Sequence, residues 1–336
     1  MANVIERGTM LPHVVVEEMF NLVKGHSSLA KLSPERPFAF NGNEWFTFTL
    51  DKEVDIVAES GPKSNGGGTV ESVTSRPVKF EYGMRVSDEF LYGSEEYRLN
   101  ILRNFAEGAA RKGARGLDIA AIHGVNPRTG EPAETIGTNC IDKKAATKIA
   151  FDATAPDTNL DTAVAAVQAL DGAVTGIAMA PAFSSALAGL KVNGVPQYPE
   201  FRFGANPGNF YGMGVDVNST IAFNGSEDKA IVGDFVNAFK WGYAKNIPLE
   251  VIQYGNPDND TELGDLKGHN QVYLRAEFYI GWGILDGNSF AVIGAGEIDV
   301  NGIITGDTWE RVDDTPKREV QKTVATPVIA EPEKKG

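Results

Sequence analysis

One cysteine, Cys140, in 336 residues excludes an internal disulfide, so packing alone must hold the fold. Such sparing use of cysteine fits a chain made in a reducing cytosol. No run of 18 or more apolar residues occurs, so no membrane-spanning helix is expected. The opening Met1-Ala-Asn-Val-Ile-Glu-Arg7 lacks the basic-then-apolar order of a secretory signal. Basic residues are outnumbered, 31 against 45 acidic, for a formal charge of −14. Gripping nucleic acid requires Lys and Arg to displace counterions from phosphates, and this chain repels a polyanion on average.

Catalytic and ligand motifs are missing too. Gly66-Gly-Gly68 has no following lysine and no strand-to-helix setting, so it is not a phosphate loop. His13, His26, His123 and His269 are scattered without ligand spacing and read as ordinary core or surface histidines. Asn256, Asp258, Asp260 and Glu262 alternate as in a calcium loop, but Thr261 stands where the obligatory glycine belongs, and a solvated acidic turn is the better reading. Gly-x-Ser-x-Gly is absent, which leaves a hydrolase elbow unsupported. No cofactor and no metal is expected.

What is present is a succession of structural signals. Val15, Met19, Leu22 and Val23 fall on one face of a short helix ended by Gly25, and Pro34 and Pro37 then enforce extended chain. Trp45-Phe-Thr-Phe-Thr-Leu50 alternates with period two, as does Val78-Lys-Phe-Glu-Tyr-Gly-Met-Arg-Val86; both predict strands. The polar segment between them carries Ser64, Asn65, Gly66, Gly67 and Gly68. A structureless loop that long is uncommon inside a compact domain, so a long hairpin with a glycine-rich tip is expected. A lone hairpin is marginal and needs a surface to lie on, which makes this one an assembly arm for a neighbouring copy.

From Glu95 to His123 the pattern is one long helix, with Leu99, Leu102, Phe105, Ala106, Ala109, Leu117 and Ala120 near one stripe. Gly108, Gly113 and Gly116 inside it each cost about 1 kcal/mol relative to alanine. Either close packing or a bend must justify them. An α/β region follows: a helix over 161–170, a buried strand over 176–180, a helix opened by Pro181, short strands over 210–253, and strands over 272–280 and 290–293. The apolar pattern thins after Gly296, and 311–336 read as a charged, mobile tail.

In this order the segments resemble the major capsid proteins of tailed bacteriophages with the Hong Kong 97-type fold. The likeness runs from about Leu11 to Gly296 and rests on Val57-Ala-Glu-Ser-Gly-Pro-Lys63, Arg85-Val-Ser87, Leu117-Asp-Ile-Ala-Ala-Ile-His-Gly124, Ala178-Met-Ala-Pro181, Tyr211-Gly-Met-Gly-Val215, Gly233-Asp-Phe235 and Asn270-Gln-Val-Tyr-Leu-Arg-Ala-Glu277. It implies an α+β fold with an N-terminal arm (1–40), an extended hairpin loop (41–86) and a peripheral domain with a long spine helix (87–158). An axial α/β domain (159–265), return strands of the peripheral domain (266–296) and a partly flexible tail (297–336) complete it. Family shells bend the spine helix as they expand, which would give the three glycines a hinge role.

The resemblance further implies a structural, non-enzymatic protein that builds hexamers and pentamers of an icosahedral head around double-stranded DNA. No sequence-specific DNA contact and no membrane contact are implied. A scaffold, a portal and decoration proteins would be its partners, with assembly in the host cytoplasm and a final place in the virion. Leu11-Pro12 matches a mature start, so any scaffold is separate, absent or already lost. A bacterial encapsulin-type nanocompartment shell is the alternative of the same fold, and an unrelated soluble hydrolase or binding protein is disfavoured by the missing motifs. In one branch of the family a loop lysine attacks a neighbour's asparagine amide, with a glutamate seven residues further on as base; Lys63, Asn270 and Glu277 match those places. This isopeptide chemistry would need a turn or bulge within 270–277. The plainer reading, which we prefer, is a solvated loop lysine, a turn residue and a salt-bridged strand residue.

Overall fold

The computed structural model describes residues 26–50, 52–223, 228–245 and 249–294. The arm helix expected over 15–23 and the tail beyond 296 lie outside these residues. Among the described residues no helix is long and apolar enough to cross a membrane.

The first element is a five-residue helix, α1 (Ser28–Leu32), capped by Ser27, whose hydroxyl accepts from the Ala30 amide. Extended chain through Pro34 and Pro37 leads to β1 (Asn43–Leu50), which pairs antiparallel with β2 (Gly68–Ser75) from Asn43↔Ser75 to Leu50↔Gly68. After Arg76 and Pro77 comes β3 (Val78–Ser87), which pairs with a strand far along the chain. This corrects the expected hairpin. Its return strand is β2, the described part of the connection is 52–67, and Gly68 belongs to the ladder, not the tip. Alternation shows that a strand has two unlike faces but does not say which partner it takes. β2, exposed along nearly its whole length, carries no apolar run to reveal it.

Next come α2 (Glu89–Tyr92) and the 29-residue α3 (Glu95–His123). The Ser94 hydroxyl accepts from the Tyr97 amide at 3.3 Å, Glu95 and Glu96 sit at the positive end of the helix dipole, and Gly124 closes the helix in the left-handed region at φ 68°. Its buried stripe begins only at Phe105; the first turns overhang the core. The chain continues with α4 (Ile141–Lys144), β4 (Thr147–Ala150) and α5 (Pro156–Ala169). The last starts more than a turn before the expected 161, because Pro156 is suited to a first helical position. β5 (Gly176–Met179), α6 (Pro181–Gly189), β6 (Lys191–Val192), β7 (Val195–Pro196), β8 (Asn209–Phe210), β9 (Met213–Val217), β10 (Ala230–Gly233), β11 (Phe239–Lys245), β12 (Leu249–Ile252), β13 (Gln271–Ile284) and β14 (Phe290–Gly294) follow.

These elements form two cores. In the first, β13 is central: β3 lies along one edge, β11 and β12 share the other, and α3 packs on the sheet. Phe278, Trp282, Trp241 and Leu117 are fully buried there, each worth roughly 1.5–3 kcal/mol or more. β13 runs past the expected end at Ile280, and Gly281 and Gly283 are places where the side chains of Phe38 and Trp45 lie on the strand. A methyl at Gly281 would overlap the Phe38 ring, and one at Gly283 would overlap Trp45. The second core is a six-stranded sheet, β4-β14-β10-β5-β9-β8, with β14/β4 and β5/β9 parallel and the other pairs antiparallel; α5 and α6 contribute Leu160, Ala163, Phe183 and Leu187 to it.

Candidate functional site: an assembly interface

The hairpin of β1 and β2 leaves the body of the subunit. Trp45 at its root is anchored, its ring 5.5 Å from that of Phe38. Beyond it Phe46, Phe48 and Leu50 are 68, 66 and 68% exposed, and Val70, opposite Phe48, is 61% exposed. They share one face of the ladder, and nothing in the described residues covers it. Burying the first three would contribute on the order of 5 kcal/mol or more. The tip residues Ser64, Asn65, Gly66 and Gly67 are exposed; the Asn65 carbonyl accepts from the Lys52 ammonium at 3.1 Å.

The arm enters the subunit through α1, and two buried carboxylates hold that helix. Asp118 of α3 accepts from the Ser27 hydroxyl (2.5 Å), the Ser28 and Leu29 amides (2.9 and 3.2 Å) and the Thr220 hydroxyl (2.9 Å). Burial pushes its pKa up to about 6, against the pull of those four donors. Asp216 of β9 accepts from the Ser28 hydroxyl (2.6 Å), the Lys31 ammonium (2.6 Å) and the Asn206 amide (2.8 Å). One carboxylate comes from each core, so the helix fastens the arm to both. Sequence reasoning passed over both residues. The available signal was a lone acid inside the apolar runs 116–122 and 213–217.

A second acidic cluster surrounds His123 at the end of α3. Its Nε2 lies 3.0 Å from the Thr220 carbonyl, which makes that nitrogen a donor, and its Nδ1 lies 2.7 Å from Asp142 and 3.2 Å from Asp228. Burial draws the imidazole pKa down, but the two carboxylates prevail and raise it to about 10. Burial and Asp228 hold the Asp142 carboxyl above its usual range. By donor type the three residues suit a divalent cation. The 2.7 Å contact is a charge-assisted hydrogen bond, however, and an imidazolium already supplies the positive charge. Far from the other histidines in sequence, His123 gave no hint of these partners.

The calcium-like turn is held by protein cations. Arg85 of β3 donates to both Asp258 oxygens (2.6 and 2.8 Å), to the Asn256 side chain (2.7 Å) and to the Gly264 carbonyl (2.9 Å). Of the three helix glycines, a methyl at Gly113 would sit 3.2 Å from the Phe278 ring and one at Gly116 3.2 Å from Phe80; Gly108 has open space. Close packing thus explains two of them, and the hinge reading retains only Gly108.

Within one chain the three isopeptide candidates stay apart. Lys63 is exposed on the loop. Asn270 sits at φ 52° immediately before β13, its carbonyl accepting from the Asp88 amide. Glu277 is buried against Lys79 (2.6 Å) and the Tyr279 hydroxyl (3.1 Å). The expected turn or bulge is absent: β13 pairs residue for residue with β3 from Gln271↔Ser87 to Ile280↔Val78. Seven extended residues put Asn270 and Glu277 roughly 23 Å apart. Burial alone would raise the Glu277 carboxyl, but Lys79, Tyr279 and Arg275 hold it below its usual range, the opposite of what a general base requires.

The described residues thus combine an exposed apolar hairpin face, a long helix on an antiparallel sheet and a separate α/β core. The sequence profile of the phage capsid family matches residues 8–294. Among solved structures, one from Mycobacterium phage Ogopogo is 32% identical over 81% of this chain and 92% of its own, with a TM-score of 0.69. One from Gordonia phage Cozz is 25% identical over 81% of this chain and 87% of its own, with a TM-score of 0.67. The capsid of a native GTA particle shares the fold at 14% identity, covering 80% of this chain and 90% of its own, with a TM-score of 0.57. No curated protein matches. The chain belongs to the phage capsid family. It is a structural subunit, a major capsid protein of an icosahedral virion shell, and the comparisons do not favour the nanocompartment alternative.

Proposed function

We propose that the hairpin of β1 and β2 is the arm by which each subunit grips its neighbour, and that gripped subunits close into hexamers and pentamers around double-stranded DNA. The observation that carries this is the exposed face of Phe46, Phe48 and Leu50 on a ladder that, among the described residues, has two strands and no third. Such a face is stable only when another surface lies on it. The formal charge of −14 suits a wall to which packaged DNA must not adhere. A scaffold, a portal and decoration proteins complete the assembly, which takes place in the host cytoplasm.

Replacing Phe46 and Phe48 together by serine tests the reading. The double variant should fold with unchanged thermal unfolding of the isolated subunit yet sediment as a monomer, where the parent forms capsomers or shells visible by electron microscopy. Normal shells from the variant would overturn the assignment.

A further inference from the structure

The subunit also carries a receptor for such an arm. A cavity of about 510 Å³ opens between β3, the second half of α3 and the loop after it. Its floor is apolar, with Phe80, Ile119 and Phe278, and Gly113 and Gly116 are part of its lining. Its rim carries Lys112, Arg115 and Arg128 with one carboxylate of the lining, Glu81; Lys79, also part of the lining, is already paired with Glu277 at 2.6 Å. Five consecutive residues of β3, 78–82, line it. Residues of both parities on one wall mean that the cavity runs along the edge of the strand, not over one face. Among the described residues β3 pairs only with β13, so none of their strands takes its second edge.

The hairpin loop has a segment of matching pattern. Glu53-Val-Asp-Ile-Val-Ala-Glu59 carries three carboxylates and no base. It is exposed throughout and outside any helix or strand, with Val54 93% and Ile56 96% exposed. Alternation would put Val54 and Ile56 on one side of an extended chain and Glu53 and Asp55 on the other. Five such residues span roughly 17 Å, the length of strand that 78–82 offers.

We infer that segment 53–59 of one copy adds as a strand to the second edge of β3 in another copy, with Val54 and Ile56 on the apolar floor and its carboxylates at the basic rim. Strand addition supplies main-chain hydrogen bonds, the floor buries two side chains now in water, and opposite charges fix direction and register. The inference rests on the arm reading above and names the surface that the arm engages.

A photo-reactive benzophenone amino acid in place of Ile56, in particles assembled from mixed isotopically heavy and light chains, tests it by mass spectrometry. Position 56 is solvent-exposed, so the substitution leaves the core intact. The expected product joins position 56 of one isotope to residues 78–82, Lys112 or Arg128 of the other. Mixed-isotope products elsewhere, including residues 1–25 or 295–336, would overturn the receptor while leaving the arm reading intact. Products confined to one isotope would overturn both. In a second test, Glu53→Lys with Asp55→Lys should cut the yield of closed shells about tenfold or more, and adding Lys112→Glu with Arg128→Glu should restore most of it. An equal loss in the quadruple variant, or no loss in the first, would count against the pairing.

Discussion

β1 and β3 are close in composition, with Phe46, Phe48 and Leu50 on one and Phe80, Tyr82 and Val86 on the other, yet their apolar faces end in opposite surroundings. Those of β3 are half-buried beneath α3, and those of β1 are about two-thirds exposed. The difference lies in what the chain places next to them. β3 has β13 as a neighbour over ten residues and a helix above it, whereas β1 has only β2, whose Thr-Val-Glu-Ser-Val-Thr brings little to pack. An apolar face that no described residue of its own chain covers is what a neighbouring chain would be expected to meet. In one subunit, alternation of one kind thus serves both folding and assembly.

The comparison is tested most severely by one substitution on each side. Phe278→Ala removes a fully buried ring between β13 and α3 and should cost the subunit about 3–5 kcal/mol, read from urea unfolding of unassembled protein. Phe48→Ser should change the same unfolding curve by less than about 0.5 kcal/mol while abolishing most assembly. Equal losses of stability would mean that the hairpin belongs to the core of its own subunit.

A smaller effect separates the two buried acidic clusters. His123→Gln leaves Asp142 and Asp228 without their cation and should cost roughly 3 kcal/mol at neutral pH. The imidazole pKa is raised on folding, from 6.5 to about 10, so its contribution is complete below about pH 6.5 and is lost as pH rises through about 10. The gap between parent and variant should therefore narrow steadily from pH 7 to pH 10 in thermal unfolding; a constant gap would refute the ion pair. Asp118 behaves differently. Its pKa is raised to about 6, so its contribution is present below about pH 3.8 and fades as pH rises through about 6. Asp118→Asn should flatten the stability profile in that window only.

Much of the fold was legible because its signals are local. Ser94 and Pro181 mark helix starts by their own chemistry, and the fully buried β5 and β14 read as short apolar runs, whereas the start at Pro156 was placed five residues late. What escaped depends on partners distant in sequence. Nothing in 68–75 says that it answers β1, and nothing near Asp118 or Asp216 says that each holds α1, some 90 and 188 residues away. The strand beyond Ile280 went unread because the aromatic rings that lie on Gly281 and Gly283, those of Phe38 and Trp45, belong to a segment more than 200 residues earlier.

A still smaller effect concerns the three helix glycines, which bear on how α3 is held over β3. Gly108→Ala meets open space and should stabilise the subunit by about 0.5–1 kcal/mol through helix propensity. At Gly113 and Gly116 the same change presses on Phe278 and Phe80 at 3.2 Å, so the gain should vanish or reverse. If Gly108 is the bend point of an expanding shell, Gly108→Ala alone should lower the ratio of early to expanded particles. An unchanged ratio would leave close packing as the sole reason for glycine in this helix.

The smallest expected effect is none, and it bears on whether the arm is joined to its neighbour by anything beyond contact. Asn270 lies immediately before β13 and Glu277 is that strand's seventh residue, with uninterrupted pairing from Gln271 onward and roughly 23 Å of extended spacing, so one subunit cannot supply both to one bond. Glu277 is held as a carboxylate by Lys79 at 2.6 Å and by Tyr279, which leaves it a poor acceptor for the proton that an attacking amine must shed. Mature particles boiled in detergent should therefore run as a single band near 36.1 kDa, and Lys63→Arg should leave both the band and the shell unchanged. A ladder of covalent oligomers that disappears in Lys63→Arg would show that three copies meet with these groups in reach, since a guanidinium cannot attack an amide. Lys79 would then have to release Glu277 during maturation. Lys79→Met should in that case hasten the ladder, because it frees the carboxylate in advance.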